Sequence, residues 1–92
     1  MSKTYKTCII VADRGNVFVA KSAAFDDHMH MLTAATVRVI RTWGTSKGLY
    51  QLIDGPLAST VLDATAPLVD IPFRAIIAIV PCDEGKWDKH LK

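Results

Sequence analysis

The feature that most constrains this chain is a run of apolar residues near its C-terminal end. Residues 75–80 read AIIAIV, and Pro81 follows directly. Four of these six residues are β-branched and pack well on a pleated surface, while a proline has no N–H with which to continue a strand. Both faces of this segment are apolar, so the run predicts a strand that is covered on both sides.

The composition of the whole chain points the same way. Eight valines, eight isoleucines and eight threonines make 24 of the 92 residues β-branched, whereas glutamate, a good helix former, occurs once. The sequence therefore predicts a mainly β fold with one short helix. The expected architecture is a small twisted antiparallel sheet that forms a partly open barrel or a sandwich, SH3/Sm-like in size.

Seven segments have the pattern of strands. A hairpin is expected at the start, because an apolar segment is followed by the turn sequence DRGN and by a second apolar segment. Alternation in the sequence HMHML would place His28 and His30 on one strand face, and a bulge near residues 33–35 would preserve the period of two beyond it. The predicted strands cover residues 5–12, 17–21, 28–32, 36–43, 60–64, 69–73 and 74–80, with a connection at 22–27.

One helix is expected between Gly44 and the Gly-Pro pair at residues 55–56. Leu49, Leu52 and Ile53 are spaced i, i+3 and i+4, and Thr45 or Ser46 could cap the N-terminus. The chain is long enough for a single domain, 1–92, with a core at about 4–83. The C-terminal tail, 84–92, could add a helical turn, since Trp87 and Leu91 are spaced i, i+4.

A sheet with two apolar faces needs more cover than one short helix supplies. Either the sheet folds over itself, or identical subunits pack together and form a homo-oligomer. The chain has a net charge of +2, no apolar run of about 18 residues and no signal-like N-terminus. We expect a cytoplasmic protein without a membrane partner, whose Cys8 and Cys82 are free thiols.

The best candidate binding site lies where the fourth predicted strand ends and the helix begins. Cationic side chains, two hydroxyls, an indole and the free N–H groups of a helix N-terminus would together suit a phosphate and a base. The alternative is that the hydroxyls only cap the helix, the tryptophan is core and the cations are solvated. The candidate ligand-binding residues are Arg38, Arg41, Trp43, Thr45, Ser46 and Lys47.

Other site classes are less favoured. Asp26, Asp27, His28 and His30 could contact a divalent metal, but a third fixed ligand and a second shell are missing unless His90 takes part, so no metal and no cofactor is expected. No nucleophile motif is present, and we expect no enzyme activity. Binding of nucleic acid by a small barrel is a weaker possibility at this net charge.

The order of segments resembles a family of small, mostly uncharacterised accessory proteins of tailed bacteriophages and prophages. The resemblance rests on the strand LTAATVRVI running into Trp43-Gly44, the helix GLYQLIDGP and the final strand AIIAIVPCDE, and it covers about residues 5–84. It implies a viral protein in the cytoplasm of an infected bacterial host. Such proteins often counter bacterial defences.

The function that this resemblance and the candidate site imply is an oligomeric sponge. It would bind and sequester a nucleotide immune second messenger, of the cyclic oligonucleotide or cyclic ADP-ribose type, without cleaving it. The alternatives are a protein-binding inhibitor of a bacterial defence or host complex, and a small nucleic-acid-binding barrel. A small nucleotide could bind between subunits, because many ligand pockets lie at such interfaces.

Overall fold

Seven antiparallel strands form one sheet in the computed structural model of the protein, which describes residues 3–46 and 48–91. The mainly β prediction is confirmed. A short α-helix and four 3-10 helices complete the described part of the chain. The strands are β1 (Lys3–Tyr5), β2 (Cys8–Ala12), β3 (Val17–Asp26), β4 (Met31–Thr42), β5 (Val61–Leu62), β6 (Ala66–Pro72) and β7 (Ile76–Pro81); the α-helix is α1 (Glu84–Trp87), and the 3-10 helices are Asp13–Gly15, Leu49–Asp54, Phe73–Ala75 and Asp88–His90.

The sheet is open but curled. Its strand order is β5-β4-β3-β2-β7, with β1 also paired to β3 and β6 also paired to β4. β6 and β7 thus lie at opposite edges of the sheet, yet only the 3-10 helix Phe73–Ala75 joins them. Three residues reach at most about 14 Å between their flanking Cα atoms, so the sheet rolls until its two edges come close.

The concave face of the rolled sheet encloses the first hydrophobic core. Residues of β2, β3, β4 and β6 meet there and are at most 5% exposed. The inward positions of β4 change from even to odd numbers at Thr36, whose φ of 53° is unusual for a β-branched residue. The predicted irregularity therefore exists, one residue beyond the expected segment. This inner core consists of Cys8, Ile10, Ala20, Ala23, Leu32, Ala34, Val37 and Ile71.

The convex face carries a second core, which short segments from elsewhere in the chain cover. Leu52 of the 3-10 helix Leu49–Asp54, together with Trp87 and Leu91 of the tail, packs against it, and all three side chains are fully buried. The expected helical turn in the tail is confirmed. Both faces of β2 are covered within one chain, although Ile77 on β7 remains 69% exposed. This outer core consists of Ile9, Val17, Val19, Ile40, Leu52, Trp87 and Leu91.

Several predicted boundaries are wrong. The first predicted strand is split into β1 and β2, and the segment 22–27, expected as a connection, is mostly the second half of β3. His28 and His30 lie in the turn before β4 and not on a strand. The cause is the length of β3, since its pairing from Ser22 to Asp26 with β4 places the hairpin turn at residues 27–30.

The predicted helix is a 3-10 helix, Leu49–Asp54, and its predicted cap is wrong. Gly48, with a φ of 93°, occupies the N-cap position, and no side chain among the described residues caps the helix. The backbone N–H of Ser46 instead donates to the side-chain oxygen Oε1 of Gln51 at 3.1 Å. None of the helices in the described residues has the length and apolar character that crossing a membrane requires.

Candidate functional site

A basic cleft opens beside the outer core. Its volume is about 480 Å³, which is in the range of small-molecule sites. One wall is mostly apolar and comes from residues 56–58, 60 and 62, while the other comes from β4 and the C-terminal tail. None of the described residues that line it has a carboxylate. The lining residues are Arg38, Pro56, Leu57, Ala58, Thr60, Leu62, Lys89 and His90.

Arg38 forms the part-buried side of the basic cleft and joins three chain segments. Its Nε donates to the carbonyl oxygen of Asp63 at 2.7 Å, Nη1 donates to that of His90 at 3.1 Å, and Nη2 donates to that of Leu62 at 3.4 Å. These bonds use three of the five N–H groups of the guanidinium. The other two make no hydrogen bond within the described residues, so the guanidinium can both hold the fold and face an anion.

The tail supplies the other two nitrogen-bearing side chains of the basic cleft. Trp87 and Leu91 point into the outer core, and Lys89 and His90 between them therefore line the cleft. Burial, followed by the positive charges of Lys89 and Arg38, lowers the pKa of His90 below its ordinary value. The lowered pKa favours the neutral imidazole. A bound anion would offset the nearby positive charge and favour its protonation.

The loop 56–60 is fixed against the end of β4. The hydroxyl of Thr60 donates to the carbonyl oxygen of Trp43 at 2.6 Å and accepts the N–H of Leu57 at 2.9 Å. A Cβ on Gly44, whose φ is 66°, would lie 2.2 Å from the carbonyl carbon of Ser59. Only a glycine permits this close approach of two backbones, so the apolar wall of the cleft depends on Gly44.

The structure divides the six predicted binding residues. Arg38 lines the basic cleft, while Arg41 lies on the exposed end of β4 and pairs its Nη2 with Oδ1 of Asp63 at 2.7 Å. Trp43 is 41% exposed and is not core, and its backbone contacts the cleft wall through Thr60. Thr45 and Ser46 precede Gly48 and do not form a helix N-terminus, and Lys47 lies outside the described residues.

Sequence reasoning missed Lys89, His90 and the apolar loop as parts of one site. A signal was present in the tail, because the i, i+4 spacing of Trp87 and Leu91 directs the intervening residues away from the buried face. Nothing local in the sequence places the loop 56–60 opposite the tail. That contact depends on Arg38, which binds carbonyl oxygens 24 to 52 residues away in the chain.

The other candidate chemistries find little support in the described residues. No group of three or more His, Cys, Asp or Glu side chains there could hold a metal ion. Cys8 and Cys82 are free thiols. Burial, with a smaller effect from Cys82, raises the pKa of Cys8 to about 12, and burial raises the pKa of Cys82 to about 11. Both thiols are therefore protonated at neutral pH and are poor nucleophiles.

Comparison with protein-family models, with curated proteins and with solved structures finds no match to this chain.

Proposed function

We propose that the chain binds a small phosphate-bearing nucleotide in the basic cleft and holds it without cleaving it. The observation that carries this proposal is the pairing of an apolar wall with three nitrogen-bearing side chains, Arg38, Lys89 and His90, and no carboxylate among the described lining residues. An apolar surface suits a base or ribose, and guanidinium and ammonium groups suit a phosphate.

The electrostatics of the basic cleft favour an anion over a neutral ligand. Burial, and after it the positive charges of Lys89 and Arg38, lowers the pKa of His90. The carboxylate of Asp63 pairs with Arg41, and Asp63 is not among the lining residues of the cleft. A bound phosphate would therefore neutralise an excess of positive charge, and this gain is absent for an uncharged molecule.

The biological role in this proposal is the one that the resemblance to phage accessory proteins implies. The protein would sequester a nucleotide immune second messenger, a cyclic oligonucleotide or a cyclic ADP-ribose isomer, in the cytoplasm of an infected bacterium. The proposal includes assembly of several copies. Large apolar residues remain exposed on two edge strands, Leu68 at 60% on β6 and Ile77 at 69% on β7, and such residues favour contact between copies.

Isothermal titration of the purified protein tests the ligand. The panel contains cyclic di- and trinucleotides, cyclic ADP-ribose isomers, AMP and inorganic phosphate. We expect heat of binding with at least one nucleotide and much weaker binding of phosphate alone, because phosphate cannot use the apolar wall. Absence of heat with every nucleotide would overturn the proposal.

A pair of lysine variants locates the binding. Lys89→Gln removes one charge from the basic cleft, and Lys6→Gln removes the same charge from an exposed position outside the described lining. We expect Lys89→Gln to weaken binding about fivefold, from about 1 kcal/mol for a partly exposed charge pair, with Lys6→Gln unchanged. Equal effects would mean that net charge alone attracts the ligand. A native mass spectrum of protein from bacterial cells tests assembly and any co-purified nucleotide in the same measurement.

A further inference from the structure

A second cleft lies at the turn between β3 and β4. Its volume is about 400 Å³, and it is separate from the basic cleft, with which it shares no lining residue. Its lining combines two methionines, a histidine, a phenylalanine and one cation. The lining residues are Met29, His30, Met31, Pro72, Phe73 and Arg74.

Backbone geometry makes three consecutive side chains line this turn cleft. In a regular strand successive side chains point to opposite faces, but His30 has a φ of 53° and interrupts that alternation. The turn is fixed at both ends. Oδ1 of Asp26 accepts the N–H groups of His28 and Met29 at 2.9 and 3.3 Å, and the carbonyl oxygen of His30 accepts the N–H of Phe73 at 2.8 Å.

Two of the three metal-binding side chains in the turn cleft, Met29 and Met31, carry soft sulfur donors. Thioether sulfur prefers Cu(I) and related ions, whereas imidazole accepts several transition metals. Met29 is 63% exposed and belongs to neither hydrophobic core. Each methionine has a flexible, unbranched side chain, which allows both sulfurs to approach one ion inside the cleft.

We propose that Met29, His30 and Met31 form a site for a soft monovalent metal ion, Cu(I) or its analogue Ag(I). Two thioether sulfurs and one imidazole nitrogen supply the three ligands. Arg74 lines the same cleft, and its positive charge opposes a divalent ion more strongly than a monovalent one. The ring of Phe73, with its centroid 5.0 Å from that of Phe25, adds an aromatic surface that attracts cations.

Titration with Ag(I), followed by NMR of methionine ε-methyl groups and histidine rings, tests the site. The protein carries Cys82→Ser, because a partly exposed thiol would compete for the metal. We expect one equivalent of Ag(I) to shift the methyl signals of Met29 and Met31 and the ring signals of His30 together. Shifts confined to the surroundings of Cys8, or no shifts at saturation, would overturn the proposal.

Substitutions then separate this site from general metal binding. Met29→Leu with Met31→Leu keeps side-chain volume and removes both sulfurs, and we expect the affinity for Ag(I) to fall about tenfold or more. His30→Gln should also lower the affinity, whereas His90→Gln, a histidine of the other cleft, should leave it unchanged. Met29→Leu alone is a further check, because this exposed side chain is not needed for folding. Unchanged affinity in the double methionine variant would overturn the proposal.

Discussion

The two faces of the sheet are closed in different ways. The inner core is enclosed by strands that are joined to one another by backbone hydrogen bonds, with β3 and β4 paired from Phe18 to Asp26. The outer core is covered by the 3-10 helix Leu49–Asp54 and the tail, which belong to no strand ladder. Side chains hold this cover in place: the indole Nε1 of Trp87 donates to the carbonyl oxygen of Leu52 at 2.8 Å, and Arg38 donates to three further carbonyl oxygens.

This difference indicates which part of the fold can open most readily. A strand ladder opens cooperatively, whereas a cover held by a few side chains can open locally at lower cost. The basic cleft lies along this cover, since Lys89 and His90 come from the tail. The proposed binding site therefore belongs to the less firmly closed face of the sheet, and the following experiments test that comparison from the largest expected effect to the smallest.

Trp87→Ala and Leu32→Ala remove fully buried side chains from the outer and inner cores. We expect Trp87→Ala to lower the free energy of unfolding by about 3–5 kcal/mol, because it leaves a large cavity and removes one of the two hydrogen bonds that the carbonyl oxygen of Leu52 accepts. We expect Leu32→Ala to lower it by about 2–5 kcal/mol. Urea denaturation measures both. Hydrogen exchange should then show that Trp87→Ala accelerates the exchange of tail amides more than the exchange of β3 and β4 amides. If hydrogen exchange accelerated equally in all elements of both variants, the claim that the two faces are closed separately would be wrong.

Gly44→Ala tests the backbone contact that supports the apolar wall of the cleft. Gly15→Ala is the matched control, because Gly15 also has a positive φ, 78°, but a Cβ there would meet nothing within 4 Å. Both substitutions cost about 1–2 kcal/mol of conformational strain. We expect Gly44→Ala to cost about 1–3 kcal/mol more, from overlap with residues 59–60. Equal losses of stability in the two variants would show that the loop moves away without cost.

Arg38→Gln tests whether one side chain holds the tail to the sheet. It removes hydrogen bonds to the carbonyl oxygens of Leu62, Asp63 and His90. Since these groups are only part-buried and water can replace the lost donors, we expect a loss of about 1–2 kcal/mol in unfolding free energy. Arg41→Gln, which breaks an exposed ion pair with Asp63, should cost less than about 1 kcal/mol. A larger loss of unfolding free energy in Arg41→Gln than in Arg38→Gln would show that Arg38 does not hold the tail to the sheet.

The smallest effect concerns His90 and pH. Its pKa is lowered in the folded protein, so the unfolded chain binds a proton more readily. The contribution of His90 to stability is therefore complete above the ordinary histidine pKa of about 6.5 and decreases as the pH falls toward the folded-state pKa. Urea titrations at several pH values measure this slope, and His90→Gln should reduce it. Nucleotide binding should show the opposite trend and strengthen as the pH falls, because protonated His90 adds a positive charge to the cleft.

Local sequence patterns predicted which strands and helices form better than they predicted where each one begins and ends. The β-branched run is confirmed as a strand, β7, which spans Ile76–Pro81, but the expected cover on both of its faces is wrong, since Ile77 is 69% exposed. The i, i+4 pair Trp87 and Leu91 is confirmed as a buried tail face. The turn at residues 27–30 was missed because HMHM alternates like a strand, while the pairing of β3 with β4 controls where the hairpin turns. The capping prediction for Thr45 and Ser46 is wrong because Gly48, which has no side chain, occupies the N-cap position of the 3-10 helix.

The sequence by itself determined the mainly β class, the two-faced strands and the amphipathic tail, because these follow from the spacing of neighbouring residues. It also supplied Arg38 as a candidate for binding. Only the tertiary structure decided what covers the outer face and what surrounds Arg38. The physical reason is that hydrogen bonds from Arg38 and Trp87 reach carbonyl oxygens 24 to 52 residues away, and no local periodicity records such contacts.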